Sequence, residues 1–327
     1  MDTVIFFINA AVLAGTPLLL GTIGEILTEK SGNLNLGVEG LMFMGAIAGL
    51  ASVMMLEVFL GIEMDPVIAV IIAISGSFLA GAFGALIYSV MVVSLRTQQN
   101  VTGLALTIFG IGVGNFFGKF LGDFSPEGFV ARVSSTAQSG FTNIHFPVLS
   151  DIPILGPLLF NYNILVYFAV ALAILMAVFL NRTRWGLNLR AVGENPATAD
   201  AASIHVTRYK YLATCIGGGI CGLGGMYIAM VTTSGVWVHN SVQGFGWISV
   251  ALVIFATWSP GRALIGSLVF GGLTVMRFYV PLGIPMQIYD TFPYLATILV
   301  LIFTSIRQIK EHSPPAHVGL NYFREER

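Results

Sequence analysis

Long apolar runs separated by short polar stretches dominate the chain from its first residues. A transmembrane helix needs about 20 mostly apolar residues. By that measure the pattern predicts nine membrane-spanning segments, at roughly 4–24, 34–57, 66–94, 100–121, 163–180, 211–234, 246–258, 263–280 and 290–306. The seventh is short, and only four residues separate it from the eighth. We therefore expect 246–280 to form either two tilted spans or one re-entrant hairpin.

Composition agrees with a membrane location. Of the 327 residues 56% are hydrophobic and only 9% are charged, with a mean hydropathy of +0.85, whereas a soluble domain carries about a quarter charged residues. The net charge of −1 and the lack of a basic patch argue against a nucleic-acid partner. The sequence predicts an all-α, polytopic helix bundle that forms a single transmembrane domain over residues 1–327.

Lysine and arginine concentrate in two of the segments that separate the apolar runs. The segment 181–210 and the tail from Arg307 hold most of them: Arg182, Arg184, Arg190, Arg208, Lys210, Lys310, Arg324 and Arg327. The 41-residue segment 122–162 has Arg132 alone. Short loops rich in lysine and arginine stay in the cytoplasm. We expect a cytoplasmic 181–210, an external 122–162, an external N-terminus and a cytoplasmic C-terminus in the plasma (inner) membrane.

The stretch SGNLNLGVEG at 31–40 is unusual because polar residues interrupt the start of the second predicted span. Polar backbone at membrane depth is tolerated only where it is buried or lines a watery cavity, and an acidic side chain is costly in lipid. We therefore expect Asn35 and Glu39 to line or gate a solute pathway. The alternative is that the stretch lies at the cytoplasmic surface, where water would solvate Glu39.

Three further residues are candidates for the same pathway. Asn100 opens the fourth predicted span within the cluster QQNVTG, and Asn115 lies further along that span. Helix capping and helix–helix hydrogen bonding are equal alternatives for both. Trp247, at the external start of the seventh span, could stack on a flat solute, although aromatic residues there also anchor helices at the membrane interface.

Glycines spaced four residues apart recur within the predicted spans. They form three groups: Gly45 and Gly49; Gly110, Gly114 and Gly118; and Gly218 and Gly222. This spacing places each group on one helix face, where two backbones can approach closely. We expect these glycines to pack helices together.

The segment 181–210 is too long and too regular for a simple connector. Asn195 suits a helix N-cap and Pro196 suits the first helical position, so the sequence predicts a short, alanine-rich helix over 197–203. Small side chains such as Ala199 and Ala202 would let this helix fit into a groove on a partner. The alternative is a solvated loop.

The sequence has no catalytic signature, neither HExxH nor GxSxG. Gly118-Lys119 is not a P-loop, because Val113 stands where the upstream glycine is required and Phe120 replaces Ser or Thr. Cys215 and Cys221 are six residues apart, so on a helix they point about 240° apart and cannot form a CxxC site. We expect no enzymatic activity, no cofactor and no metal.

Three stretches resemble a known family: TIGEILTEKSGNLNLGVEGLMFMGA, RAVGENPATADAASIHVTRYK and the ending PPAHVGLNYFREER. They are similar to permease subunits of bacterial ABC importers, in the nucleoside and simple-sugar branch that is related to ribose and branched-chain amino-acid permeases. The resemblance covers essentially the whole chain. One departure is Ser203-Ile204, where the family usually has Gly-Ile.

The resemblance implies the type II importer fold. It also implies a second, related permease subunit, cytoplasmic ATP-binding subunits and an extracytoplasmic solute-binding protein as partners. By the same resemblance, the residues that couple transport to the ATPase are Gly193, Glu194, Asn195, Pro196, Ala199 and Ala202. The implied solutes are purine nucleosides first, then pentoses and other simple sugars.

Two other classes of function remain alternatives at this point. An ion-coupled secondary transporter usually carries intramembrane carboxylates or arginines as coupling groups, and charge is sparse within the predicted spans. A membrane enzyme would need a histidine or carboxylate constellation, which the sequence does not show.

Overall fold

The computed structural model describes residues 2–124, 130–147, 149–150, 152–153, 155–280, 283–307 and 314–323. Lys310, Arg324 and Arg327 of the basic tail, and parts of 122–162, lie outside these ranges. The described residues form helices and two isolated β-bridges but no strand, so the predicted all-α bundle is confirmed. The helices are α1 (Asp2–Glu29), α2 (Val38–Leu60), α3 (Pro66–Ser89), α4 (Gln99–Gly122), α5 (Ser135–Ser139), α6 (Leu155–Leu159), α7 (Ile164–Arg182), α8 (Arg184–Glu194), α9 (Pro196–Ala201), α10 (Val206–Tyr227), α11 (Phe245–Phe255), α12 (Pro260–Tyr279), α13 (Met286–Tyr289) and α14 (Phe292–Arg307).

Among the described residues, six helical stretches are long and apolar enough to cross a membrane. They are Thr3–Glu29, Val38–Leu60, Pro66–Ser94, Gln99–Gly122, Ile164–Arg182 and Val206–Thr232. The third and the sixth include a final π-helical turn, Val90–Ser94 after α3 and Ile228–Thr232 after α10. These six coincide with the first six predicted segments. Helices α11, α12 and α14 occupy the remaining three.

The seventh segment does not form a full span. Helix α11 has 11 residues, a length of about 16 Å at 1.5 Å per residue, whereas the hydrocarbon core is about 30 Å thick. Before α11, Val236 forms an isolated β-bridge with Arg132. The Gly244 N–H then donates a hydrogen bond to the carboxylate of Glu39, in the first turn of α2. The non-helical residues 233–244 and α11 together form what we call the broken crossing, and the choice between two tilted spans and a re-entrant hairpin for 246–280 stays a prediction.

Contacts between the loops show that they lie on two opposite faces of the bundle. On the first, which we call the α5 face, Ser134 donates to Glu57 (2.5 Å), and Tyr162 donates to Asn9 near the N-terminus (2.9 Å). On the other, the α9 face, the His317 N–H donates to the Gly193 carbonyl (3.0 Å). The N-terminus thus shares a face with 122–162, and the described C-terminal residues share one with 181–210.

Helix α10 lies at the centre of the bundle, packed against α1, α2 and α3. Its glycines allow this packing: a Cβ on Gly222 would meet the Ser77 carbonyl on α3 at 2.7 Å, and one on Gly45 would collide with Gly222 itself. Similarly, a Cβ on Gly110 of α4 would collide with Gly40 of α2. The predicted packing role of these glycines is confirmed. The two cysteines, on the same helix, are free thiols.

Candidate functional site

The polar stretch between α1 and α2, residues 30–37, is a buried break in the helical bundle. Gly32 adopts φ +89°, a left-handed turn that ends α1 and that glycine adopts without steric cost. Side chains from neighbouring spans then satisfy the backbone of the break. Gln99 accepts the Leu34 N–H (2.7 Å), and Tyr88 donates to the Leu34 carbonyl (2.5 Å). Thr107 donates to the Leu36 carbonyl (2.9 Å).

Two carboxyl groups at the end of α1 belong to this break, and the sequence pattern did not assign them a role. The apolar window places the end of the first span at 24, but the helix continues to Glu29 and buries both Glu25 and Glu29. Glu25 accepts the backbone N–H of Asn35 (3.1 Å), and Glu29 accepts the indole N–H of Trp258. Their spacing of four residues, on one helix face, was the signal available in the sequence.

Asn35 stabilises the break from within. Its side-chain oxygen accepts the Gly37 N–H (2.9 Å), which caps the approach to α2, and only 1% of the residue is exposed. This hydrogen bond places Asn35 as a support for its neighbours in the break.

Glu39 lies in the first turn of α2 and is 3% exposed. Its carboxylate accepts the Gly244 N–H (3.1 Å) and also interacts with the backbone N–H of Trp247. Gly244 has no side-chain cap of its own, so Glu39 caps the N-terminus of α11 from another helix. A helix N-terminus carries partial positive charge, which a carboxylate stabilises. The surface alternative, with a solvated Glu39, does not hold.

Of the other pathway candidates, Trp247 and Asn115 are linked to the segment that Glu39 caps, and Asn100 is not. Trp247 is half-buried on α11, one turn beyond Gly244, and the Tyr294 phenol of α14 lies within electrostatic range of Glu39. Asn115 donates to the side chain of Asn240 (2.7 Å) and so ties α4 to the inward segment 233–244. Trp247 and Asn115 are thus linked to the broken crossing that Glu39 caps.

Asn100 lies apart from this site. It is exposed at the start of α4 on the α9 face. Its neighbour Gln99 is buried instead and bonds both to Leu34 in the break and to the Leu320 carbonyl in the C-terminal segment (3.2 Å). The sequence did not indicate which member of the polar cluster points inward.

The segment 183–203 contains two helices, of which the sequence predicted only the second, α9, with Asn195 as its N-cap. Thr183 accepts the Gly186 N–H (3.0 Å) at the start of α8, and Asn195 accepts the Thr198 N–H (3.0 Å) at the start of α9. Pro196 occupies the first turn. Helix α9 ends at Ala201, two residues earlier than predicted, because the chain turns at Ser203 with φ +63°. That left-handed turn explains the family's preference for glycine there.

The residues assigned to coupling face in two directions. Gly193 packs against the Lys30 backbone, and Pro196 is buried. Ala199 is 3% exposed in a cluster with Val192 and Val206, so it packs within this chain. The exposed set, available to a partner, consists of Glu194, Asn195, Ala197, Thr198, Ala201 and Ala202. A bulky substitution at Ala199 would therefore disturb this protein's own core before it disturbed any partner.

The C-terminal segment 314–323 connects the parts of the α9 face. Its Gly319 N–H donates to the Gly32 carbonyl (3.3 Å), Asn321 donates to the Arg96 carbonyl (2.7 Å), and Tyr322 donates to Asp200 on α9 (3.0 Å). The segment thereby links the break, the α3–α4 connection and α9.

The pKa values of two ionisable side chains at this junction, Lys30 and His317, are lowered. Burial lowers the pKa of Lys30 from its ordinary value, while the negative charge of Glu194 opposes that effect. Burial also lowers the pKa of His317, and the positive charge of Lys210 adds to this effect.

Three known permeases are similar to the chain over most of its length. TsgC13 of Haloferax volcanii, whose name assigns it to a glucose ABC transporter, is 33% identical, with 92% of each chain covered. The nucleoside ABC transporter permease protein NupC of Lactococcus lactis is 31% identical, with 100% of this chain and 99% of NupC covered. NupB, a second nucleoside ABC transporter permease protein of that organism, is 22% identical, with 90% of this chain and 78% of NupB covered.

A family model agrees with these relatives. The model, described as the permease component of the branched-chain amino acid transport system, matches residues 7–301. The matched range includes the break at 30–37, the capping contact between Glu39 and α11, and helices α8 and α9. The chain therefore belongs to the branched-chain amino acid transport system permease family, and it is a membrane-spanning permease of the ABC transporter type.

Proposed function

We propose that the chain is a permease subunit of an ABC importer that moves nucleosides, or secondarily simple sugars, with ATP hydrolysed by a separate subunit. The observation that carries the proposal is the broken crossing: Glu39 of α2 meets the N-terminus of the 11-residue helix α11 inside the bundle. Transporters build solute sites from discontinuous helices of this kind, near the middle of the bilayer.

The side chains around this contact suit an uncharged, hydroxyl-bearing solute. A carboxylate such as Glu39 accepts hydrogen bonds from sugar hydroxyls, and an aromatic ring such as Trp247 offers a face on which a base or a sugar can stack. The names of NupC and TsgC13 support nucleosides and glucose as the two solute classes to test first. We place Asn115 at the rim of this route, and Asn35 behind it as a support for the break.

The contacts also offer a route from an ATPase to the solute site. Movement of α9 would pull on Tyr322 through Asp200, and on Gly32 through Gly319. Displacement of the break would then move the first turn of α2, which carries Glu39. In this account the coupling set comprises Gly193, Glu194, Asn195, Pro196, Ala199 and Ala202. Its buried members transmit the movement, and its exposed members touch the partner.

Three partners follow from the proposal. ATP-binding subunits would dock on the small exposed side chains of α9, and a solute-binding protein would deliver solute at the α5 face. A second, related permease would complete the channel, which is supported by the similarity of this chain to both NupB and NupC.

Family membership lends no support to the ion-coupled alternative. The buried Glu25 and Glu29 already have structural partners in Asn35 and Trp258.

The orientation of the bundle is testable with two exposed positions. The Lys and Arg distribution predicts that the α9 face is cytoplasmic. In a variant without Cys215 and Cys221, Ser139→Cys should react with a membrane-impermeant maleimide in intact cells. Ala202→Cys should react only after lysis. The reverse pattern would overturn the proposed orientation.

Docking at α9 is testable at Ala202. Ala202→Trp should lower uptake about five- to a hundredfold while membrane insertion remains normal, because overpacking a fitted surface costs about 1–3 kcal/mol. Ala202→Ser, which keeps the side chain small, is the matched control and should transport normally. Wild-type uptake and normal co-purification of the ATPase with Ala202→Trp would show that α9 is not the docking helix.

The role of Glu39 is testable by uptake of labelled nucleosides and sugars at matched membrane levels. Glu39→Gln keeps size and some hydrogen bonding, so we expect a several-fold loss. Glu39→Leu removes the acceptor for two backbone N–H groups and should lower uptake by about ten- to a hundredfold, since hydrogen bonds to charged groups are worth about 1.5–3 kcal/mol. Asn100→Ala, outside the site, should transport normally. Wild-type rates in both Glu39 variants would remove this contact from the mechanism.

A further inference from the structure

A second polar cavity lies on the α9 face, away from Glu39. It has a volume of about 430 Å³ and is enclosed by the end of α3, the first turns of α10 and the C-terminal segment. Of the residues that the structure describes, three cationic side chains line it, namely Arg96, Arg208 and Lys210, against one acid, Asp200. We propose that this cavity binds a phosphate group. The proposal is independent of the transported solute and of the orientation.

Backbone N–H groups at the wall of the cavity are available to bind an anion. The first residues of α10, Val206 and Thr207, line it together with the N-cap residue His205. His205 makes no side-chain capping bond. The first-turn N–H groups of a helix have no partners within the helix, and the helix dipole adds partial positive charge at that end. An uncapped helix N-terminus facing a cavity is the arrangement by which proteins commonly bind phosphate.

A buried and unpaired cation is the second, independent observation. Lys210 is only 4% exposed, yet among the described residues its ammonium group has no hydrogen bond and no ion pair. The buried carboxylates Glu25, Glu29 and Glu39 each accept at least one hydrogen bond, although Glu25 Oε2 has no partner among the described residues. A buried charge without a partner destabilises the folded protein. A bound anion would supply the partner that the described residues do not.

The one acid in the lining is already engaged. Asp200 accepts a hydrogen bond from the Tyr322 hydroxyl (3.0 Å), which draws its carboxylate toward the C-terminal segment. The Arg96 guanidinium stacks over the ring of Phe323, 4.7 Å from its centre, and is thereby held at the wall. The cationic groups and the helix N-terminus are left to face the cavity.

The cavity fits the phosphate of either of two sources. Val92 and Val93, at the end of a membrane-spanning helix, form its apolar wall, which suits the headgroup of an anionic phospholipid. Basic pockets between transmembrane helices bind such headgroups. A free phosphate ion from solution satisfies the same donors.

The test uses the full-length chain, purified in a neutral detergent with the subunits that accompany it. Inorganic phosphate, dioctanoyl phosphatidylglycerol and the phosphate-free dioctanoylglycerol are titrated while the thermal unfolding midpoint is followed. We expect a saturable rise with at least one phosphate-bearing probe and none with dioctanoylglycerol. Lys210→Met keeps the length of the side chain, removes its charge, and should weaken binding at least about tenfold. Arg184→Gln, an exposed cation outside the lining, is the matched control and should bind normally.

Each outcome decides the proposal. A response to phosphatidylglycerol alone assigns the site to a lipid headgroup, and a response to inorganic phosphate, with or without one to phosphatidylglycerol, assigns it to phosphate in general. If Lys210→Met does not fold, Arg208→Gln provides the same comparison, because Arg208 is exposed and tolerant of substitution. The proposal is overturned if the wild-type protein responds to neither phosphate probe. It is equally overturned if Lys210→Met and Arg208→Gln bind as tightly as Arg184→Gln.

Discussion

Backbone polar groups inside a membrane must find partners within the protein, and the whole structure is arranged around one place where helices do not supply them. Between Glu29 and Val38 the chain is not helical although it is buried. Glu25, Tyr88, Gln99 and Thr107 provide the missing partners from three other parts of the bundle. An unpaired polar group in hydrocarbon costs several kcal/mol. The fold therefore depends on the hydrogen bonds that these side chains make.

A second consequence of the same constraint is the contact between Glu39 and α11. Because α11 is too short to cross the bilayer, its N-terminus and the segment before it lie within the protein and need an acceptor. Glu39 supplies it and places a carboxylate, an aromatic side chain and a helix end around one point. The elements that satisfy the backbone are therefore the same elements that can recognise a polar solute. The break also connects to α9 through Gly32 and the C-terminal segment, so the proposed solute site and the proposed docking helix share their supports.

The sequence was informative where the signal is periodic or local. Nine apolar segments, the Asn195–Pro196 helix start and the close-packing glycines could all be predicted, because window hydropathy, capping chemistry and four-residue spacing each depend on neighbouring residues. The end of α1 was misplaced because Glu25 and Glu29 resemble surface charges until their partners, Asn35 and Trp258, are known. The inward choice of Gln99 over Asn100, and the internal packing of Ala199, depend on residues distant in the chain. The half-length of α11 was visible as a short apolar run, but the inward course of 233–244 was not.

We propose that solute passes the junction of Glu39 and α11. Protection of a thiol at position 247 by solute tests this proposal most directly. In a chain without Cys215 and Cys221, Trp247→Cys should react with a small, water-soluble thiol reagent, because the position borders a polar route. Saturating nucleoside or sugar should slow that reaction several-fold, while Ile265→Cys, on the exposed side of α12, should show no effect of solute. A rate at Trp247→Cys that no transported solute changes, or a position that never reacts, would contradict the account.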